Sequence, residues 1–354
     1  MQILIIGKFY TEGFALHIAE TLTAMDHQVR RFEPGYKSQR MGGRRGHRLD
    51  QVRGVIYSAT DSLPTIRALR LKALWRVTAQ GPLDVVIVAS DFLWPSEVSE
   101  LKRRTNAKIA MWYPDPIVNF GRAYFMNAPY DALFFKDPYI VHALGDVLKS
   151  PVYYLPECFN PDQHYLSEAE LGDLSDYHCD ITTAGNLHSW RVAFFKNLTT
   201  YHVKIWGNPA PLWMAEGLVN TMHQGRVVYN HDKVRAFKGA KVVINNLIYG
   251  EIWGVNARCF ETAGAGAFQM VDWRPGLDHL FVEGKEIITF KNIADLKHKI
   301  DYWLPREAER RVIAESSRLR AHAQHTYQLR LELLLDTLAG NAQGFPIPDC
   351  LKTM

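Results

Sequence analysis

The stretch Asn256-Ala-Arg258-Cys-Phe260-Glu261-Thr-Ala-Gly264-Ala-Gly-Ala-Phe-Gln-Met-Val-Asp272 carries one acid, Glu261, ahead of its apolar run. The pattern predicts a helix over 256–263 and a strand over 267–271, with the small residues as the break. Glu261 then has two readings. A helix acid beside small residues is commonly a solvated face. A carboxylate held among packed neighbours, here Phe260, Ala263 and Ala265, can instead accept two hydrogen bonds from a ribose diol. Asn256 suits the N-cap, and the amides after it, together with Arg258, suit a diphosphate. Gly264 belongs to the same candidate set.

A second glycine turn stands upstream. Cys179–Ala184 reads as a strand ending at Gly185 and Asn186, with a helix near Arg191 to Leu198. Free amides at such a helix start suit a phosphate, and Arg191 would add a charge-assisted contact. The plainer reading is a simple turn with Arg191 in solvent. Gly207 and Asn246 come after two further strands and complete this side of the set. In the first half, Gly7 and Gly13 bracket a loop that is neither a dinucleotide fingerprint nor a P-loop. It reads as a tight turn, or as a glycine floor that presents Thr11 and Glu12. Asp115, clamped by Pro114 and Pro116, is either an Asx-type turn or a general base, with Glu12 as the second candidate base. His17 reads as structural. No His/Cys spacing or paired-aspartate motif suggests a metal, so no metal site is predicted.

Those residues need elements to position them. Apolar runs at 2–6, 28–32, 83–89, 107–112, 131–135 and 152–155 read as buried strands, with helices at 14–25, 63–80 and from Pro95. A polar acidic stretch at 162–176 reads as a linker. The same grammar restarts with strands at 179–184, 202–206, 241–245, 267–271 and 286–290, and helices run from 293 to about 338. The fold class is therefore α/β, with two doubly wound Rossmann-like domains facing across a cleft. Ligands of such sheets bind at the C-terminal ends of the strands, where the candidate residues stand.

The 354 residues suit two domains, and 47% hydrophobic with 22% charged residues suits an ordinary globular chain. A net charge of +4 is too small to imply a polyanion partner by itself. Residues 36–53 are locally basic: Lys37, Arg40, Arg44, Arg45, Arg48 and Arg53 stand against Asp50. Arg44 and Arg45 are candidates for an acceptor or an anion such as a phosphate, an acidic glycan, a lipid surface or nucleic acid; a solvated loop is the default. The cysteines are widely spaced and the start lacks a basic, long apolar leader, so reduced thiols and a cytoplasmic location are expected, with peripheral membrane contact open.

The segment from Cys179 through Gly185, Asn186 and Arg191, then Val203–Gly207, Val243–Asn246 and Asn256–Gly264, resembles the CgeB-like glycosyltransferases. So do Val282–Phe290, His325–Arg330, Trp112–Pro116 and Tyr154–Pro161. The resemblance implies a GT-B fold: an acceptor domain at 1–165, a nucleotide-sugar donor domain at 166–320, and a C-terminal helix at 321–354 crossing back to the first domain. It implies Glu261 on the donor ribose, no metal and no cofactor beyond the nucleoside diphosphate sugar as co-substrate, with UDP among the donors. It implies a hexosyl-type transfer to a protein, polysaccharide or other acceptor. Retaining relatives carry a second acid eight residues earlier, where this chain has Trp253; Glu251 is off register, so retention and inversion both stay open. The rival readings are a DNA-modifying glucosyltransferase, a nucleotide-sugar epimerase and a nonenzymatic two-domain ligand-binding protein.

Overall fold

In the computed structural model, residues 1–34, 56, 59–119, 122–210, 212–214 and 217–352 are described. The basic stretch with Arg44 and Arg45 lies outside them. The strands are β1 (Gln2–Ile6), β2 (Gln28–Phe32), β3 (Val85–Val88), β4 (Lys108–Tyr113), β5 (Ala132–Phe135), β6 (Val152–Tyr154), β7 (Cys179–Ala184), β8 (Val203–Trp206), β9 (Ala240–Asn245), β10 (Gln269–Asp272) and β11 (Ile288–Phe290). They form a six-stranded sheet in the order β2-β1-β3-β4-β5-β6 and a five-stranded sheet in the order β11-β10-β9-β7-β8.

The pairings of β1 with β2 and β3, and of β9 with β7 and β10, are parallel. A parallel sheet needs helices over both faces, which is why its strands are apolar throughout rather than alternating. Ile3 to Ile6 and Val86 to Val88 are accordingly 0% exposed. The second sheet's core includes Ile181, Ile205, Val242, Ile244 and Met270. The expected α/β class with two Rossmann-like parallel-sheet units is the one observed.

The chain divides into two compact units. The first comprises 1–113, 120–134 and 147–152; the second comprises 114–119, 135–146 and 153–354. Segments at 114–119, 135–146 and 153–165, which a linear reading leaves with the first domain, group with the second unit. The stretch expected as a linker is also structured: Pro161–His164 and Glu168–Leu171 are short helices, and Leu171 and Tyr177 are buried in the second unit's core. Its polar residues cap these turns, as when the Ser167 amide and hydroxyl donate to Glu170. Helices Glu307–Gln324 and Tyr327–Ala339 come later in the second unit; among the described residues no helix is long and apolar enough to cross a membrane.

Candidate functional site

β7, β8 and β9 end side by side in the second sheet, and the residues just past each end build the site. After β7 comes Gly185 at φ +126; after β8 comes Gly207 at φ +150. Both values favour glycine. The two turns also touch: a Cβ on Gly207 would sit 2.1 Å from the Gly185 carbonyl oxygen. Asn208 Nδ2 donates to Asn186 Oδ1 at 2.8 Å, which ties the two loops together.

At the end of β9 stand Asn245 and Asn246, both buried, and each holds one arginine. Arg191 Nε donates to Asn246 Oδ1 at 3.3 Å; its other nitrogens donate to Thr183 Oγ1 at 2.5 Å and the Asn186 carbonyl at 3.2 Å. Arg258 Nη1 donates to Asn245 Oδ1 at 2.9 Å. The two guanidiniums meet over Gly185, where a Cβ would lie 2.6 Å from Arg258 Nη2 and 2.8 Å from Arg191 Nη1. Neither pairs with a carboxylate among the described residues. Burial, and then repulsion from Arg258, pushes the Arg191 guanidinium well below its ordinary value. Burial also lowers Arg258, with Glu261 acting in the opposite direction. Two like charges close together, hydrogen-bonded only to neutral acceptors among the described residues, are an arrangement that an anion can neutralise.

Helix Ala257–Gly264 starts at Asn256, as expected, but Asn256 does not cap it through its side chain. Its Oδ1 instead accepts from Asn245 Nδ2 at 3.0 Å, a tertiary bond that competes with the local cap. Glu261, one turn beyond Arg258, is not a solvated acid: Lys233 Nζ lies 3.0 Å from one oxygen and His164 Nε2 lies 3.8 Å from the other. Gly264 answers to packing, since a Cβ there would lie 2.2 Å from the Phe159 ring, and its carbonyl is taken by His322.

Asp115 comes after β4 and is exposed, with no Asx-type bond to the chain among the described residues; the turn is closed by the Asn119 amide on the Pro116 carbonyl. Its charge is felt by a buried cluster. Lys136 Nζ lies 2.7 Å from Glu251 Oε1 and 3.7 Å from Glu157 Oε1. Burial pushes the Glu157 carboxyl up to about 8, with Lys136 opposing and Asp115, Glu251 and Glu261 adding to it. Glu12 sits in the first unit's turn at φ +61, half-buried.

The second-unit candidates Gly185, Asn186, Arg191, Gly207, Asn246, Asn256 and Arg258 thus come together, and Glu261 stands one helical turn away. Lys233, Lys136, Asp137 and Glu157 were missed by sequence reasoning. The polar Lys136-Asp137 directly after the apolar run 132–135 is the signal that points to two of them.

Residues 189–336 match the family described as glycosyl transferase-like. Sucrose-phosphate synthase from Thermosynechococcus elongatus has a similar structure, with a TM-score of 0.64 at 12% identity over 97% of this chain and 100% of that one. HepE of Anabaena, in complex with UDP, gives 0.65 at 10% identity over 96% and 100% of the two chains. A glycosyltransferase from Rickettsia africae gives 0.63 at 13% identity over 96% and 98%. At such identities the likeness is one of fold, and these neighbours are GT-B glycosyltransferases. No curated protein matches the chain.

Proposed function

We propose that the chain is a glycosyltransferase whose donor is a nucleoside diphosphate sugar, with the diphosphate seated between Arg191 and Arg258. The observation that carries this reading is the convergence of the buried Arg191 and half-buried Arg258 guanidiniums on Gly185, neither bonded to a carboxylate among the described residues. A diphosphate brings the missing charge, and its oxygens can accept from both planar groups. Glu261, with Lys233 Nζ 3.0 Å from one of its oxygens, accepts from the ribose hydroxyls. Asp115, exposed and carrying no hydrogen bond to the chain among the described residues, takes the acceptor's proton; Glu12 is the second candidate for that role.

The glycosyl transferase-like match over 189–336 and the GT-B neighbours support transfer chemistry. HepE was solved with UDP and with UDP-glucose, which makes UDP the first base to try and a hexose the first sugar. The reading includes a place in the CgeB-like branch, a reaction without a metal, and a protein or glycan acceptor.

A thermal-shift panel of UDP, GDP, dTDP, CDP and ADP, with and without chelator, tests it. One diphosphate should raise Tm by mass action, unchanged by chelator, and Arg191→Met should abolish the shift. No shift from any of the five, or a full shift retained in Arg191→Met, would remove the diphosphate from this site.

A further inference from the structure

We propose that Lys136 and Asp137, the dipeptide after β5, are positioning residues that hold the loop 251–254 and, through it, the Arg258 side of the diphosphate site. The inference rests on the diphosphate reading. Asp137 is buried, and one of its carboxylate oxygens accepts from three successive amides: Ile252 at 3.0 Å, Trp253 at 2.9 Å and Gly254 at 3.0 Å. Three amides turned to one anionic oxygen form a nest, a backbone shape that relaxes when the anion is removed. The other carboxylate oxygen accepts from the Tyr139 amide and starts the helix Pro138–Gly145. One side chain therefore fixes two backbone segments far apart in sequence.

Lys136 grips the same loop from the next position. Its ammonium lies 2.7 Å from Glu251, and both side chains are 3% exposed. The segments approach so closely that Gly254 has no room for a side chain: a Cβ would lie 2.9 Å from the Lys136 carbonyl oxygen and 3.1 Å from the Asp137 Cα. On the far side, the Gly276 amide donates to the Trp253 carbonyl at 3.1 Å.

The loop leads straight into the site. Two residues after Gly254, Asn256 bonds Asn245 and opens the helix that carries Arg258. Arg258 must stay beside Arg191 against their mutual repulsion, and its bond to Asn245 is to a neutral amide. A helix start that drifted would let the two charges part. The Lys136-Asp137 grip resists that drift without touching the ligand.

The test compares wild type with Asp137→Ala, Asp137→Asn, Lys136→Met and Lys136→Arg by calorimetric titration. The probes are whichever of UDP, GDP, dTDP, CDP and ADP binds wild type, and the matching nucleoside monophosphate. Asp137→Ala and Lys136→Met should lose about tenfold or more in diphosphate affinity and less than about threefold for the monophosphate, the size expected when buried amides lose their acceptor. Asp137→Asn and Lys136→Arg, which keep an acceptor and a cation, should fall in between and remain folded by circular dichroism. Equal losses for both probes, or unchanged affinities in these conservative variants, overturn the positioning role while the diphosphate reading stands. Failure of wild type to bind any of the five, or full binding by Arg258→Met, overturns the diphosphate reading instead.

Discussion

Arg67 in the first unit and Arg191 in the second are both buried, 1% and 6% exposed, and their surroundings are opposite. Arg67 grips Glu97 with two nitrogens at 2.5 and 2.6 Å and Asp61 with a third at 2.7 Å. Phe92 and Trp94 cover its faces at 4.7 and 4.5 Å. Burial alone would lower the Arg67 guanidinium, but the two carboxylates outweigh it and leave it raised. Among the described residues Arg191 donates to an amide oxygen, a carbonyl and a hydroxyl and to no carboxylate, faces a second arginine, and is lowered. The same side chain at similar burial thus serves two ends. Where the chain supplies the counter-charge, the arginine is architecture. Where it does not, the arginine is proposed to receive an anion from outside the chain.

Substitutions that remove each charge separate the two cases. Arg67→Met strands the buried Glu97, takes one of two arginines from Asp61, and should cost about 3–5 kcal/mol in chemical denaturation. A loss under about 1 kcal/mol would break the contrast, because Arg67 would then be as dispensable to the fold as Arg191. Glu157 extends the test to acids. Its folded value of about 8 lies above the ordinary 4.5, so the folded state keeps a proton that the unfolded state releases. The associated stability is fully present below about 4.5, is lost as pH rises toward about 8, and is flat beyond. The slope inside that window is at most about 1.4 kcal/mol per pH unit, and Glu157→Gln should flatten it in denaturation curves taken across the window. An unchanged slope in that variant would show that Glu157 is ionised at neutral pH.

Arg191→Met should behave unlike Arg67→Met. Removing a charge that meets no carboxylate among the described residues should leave the stability of the free protein unchanged or higher, while nucleoside diphosphate affinity falls about a hundredfold. Parallel denaturation and calorimetry decide this, and a stability loss equal to that of Arg67→Met would make Arg191 structural. The smallest effect is expected at Glu261. Glu261→Ala should weaken nucleotide binding about tenfold with the fold retained, the size of two hydrogen bonds to a charged group lost and partly replaced by water. An affinity equal to wild type would leave Glu261 with a role inside the chain, beside Lys233 and His164.

The parallel sheets were legible because apolar runs such as Ile3–Ile6 and Val85–Val88 have no polar face to offer solvent. Strand ends were legible too, and they led to Gly185, Gly207 and Asn246. The edges were not. The strand expected at 267–271 starts at Gln269, because Gly266 at φ +67 and the Ala267 amide on the Thr262 carbonyl prolong the helix end. The run expected as a linker became short helices because its acids cap them and Leu171 and Tyr177 found a core to enter. Asn256 starts the helix, as expected, but does not cap it through its side chain, because Asn245 at the end of the preceding strand takes its oxygen.

Periodicity and local sterics act over a few residues, so the chain's own order determined the alternation of strands and helices and which side chains stand at the strand ends. Charge pairing acts through space. Nothing in the spacing of Arg67, Asp61 and Glu97, or of Arg191 and Arg258, tells which arginine meets carboxylates and which meets another arginine. That was decided only when β7 and β9 came side by side and brought Thr183, Asn245 and Asn246 under two guanidiniums, neither paired with an acid among the described residues.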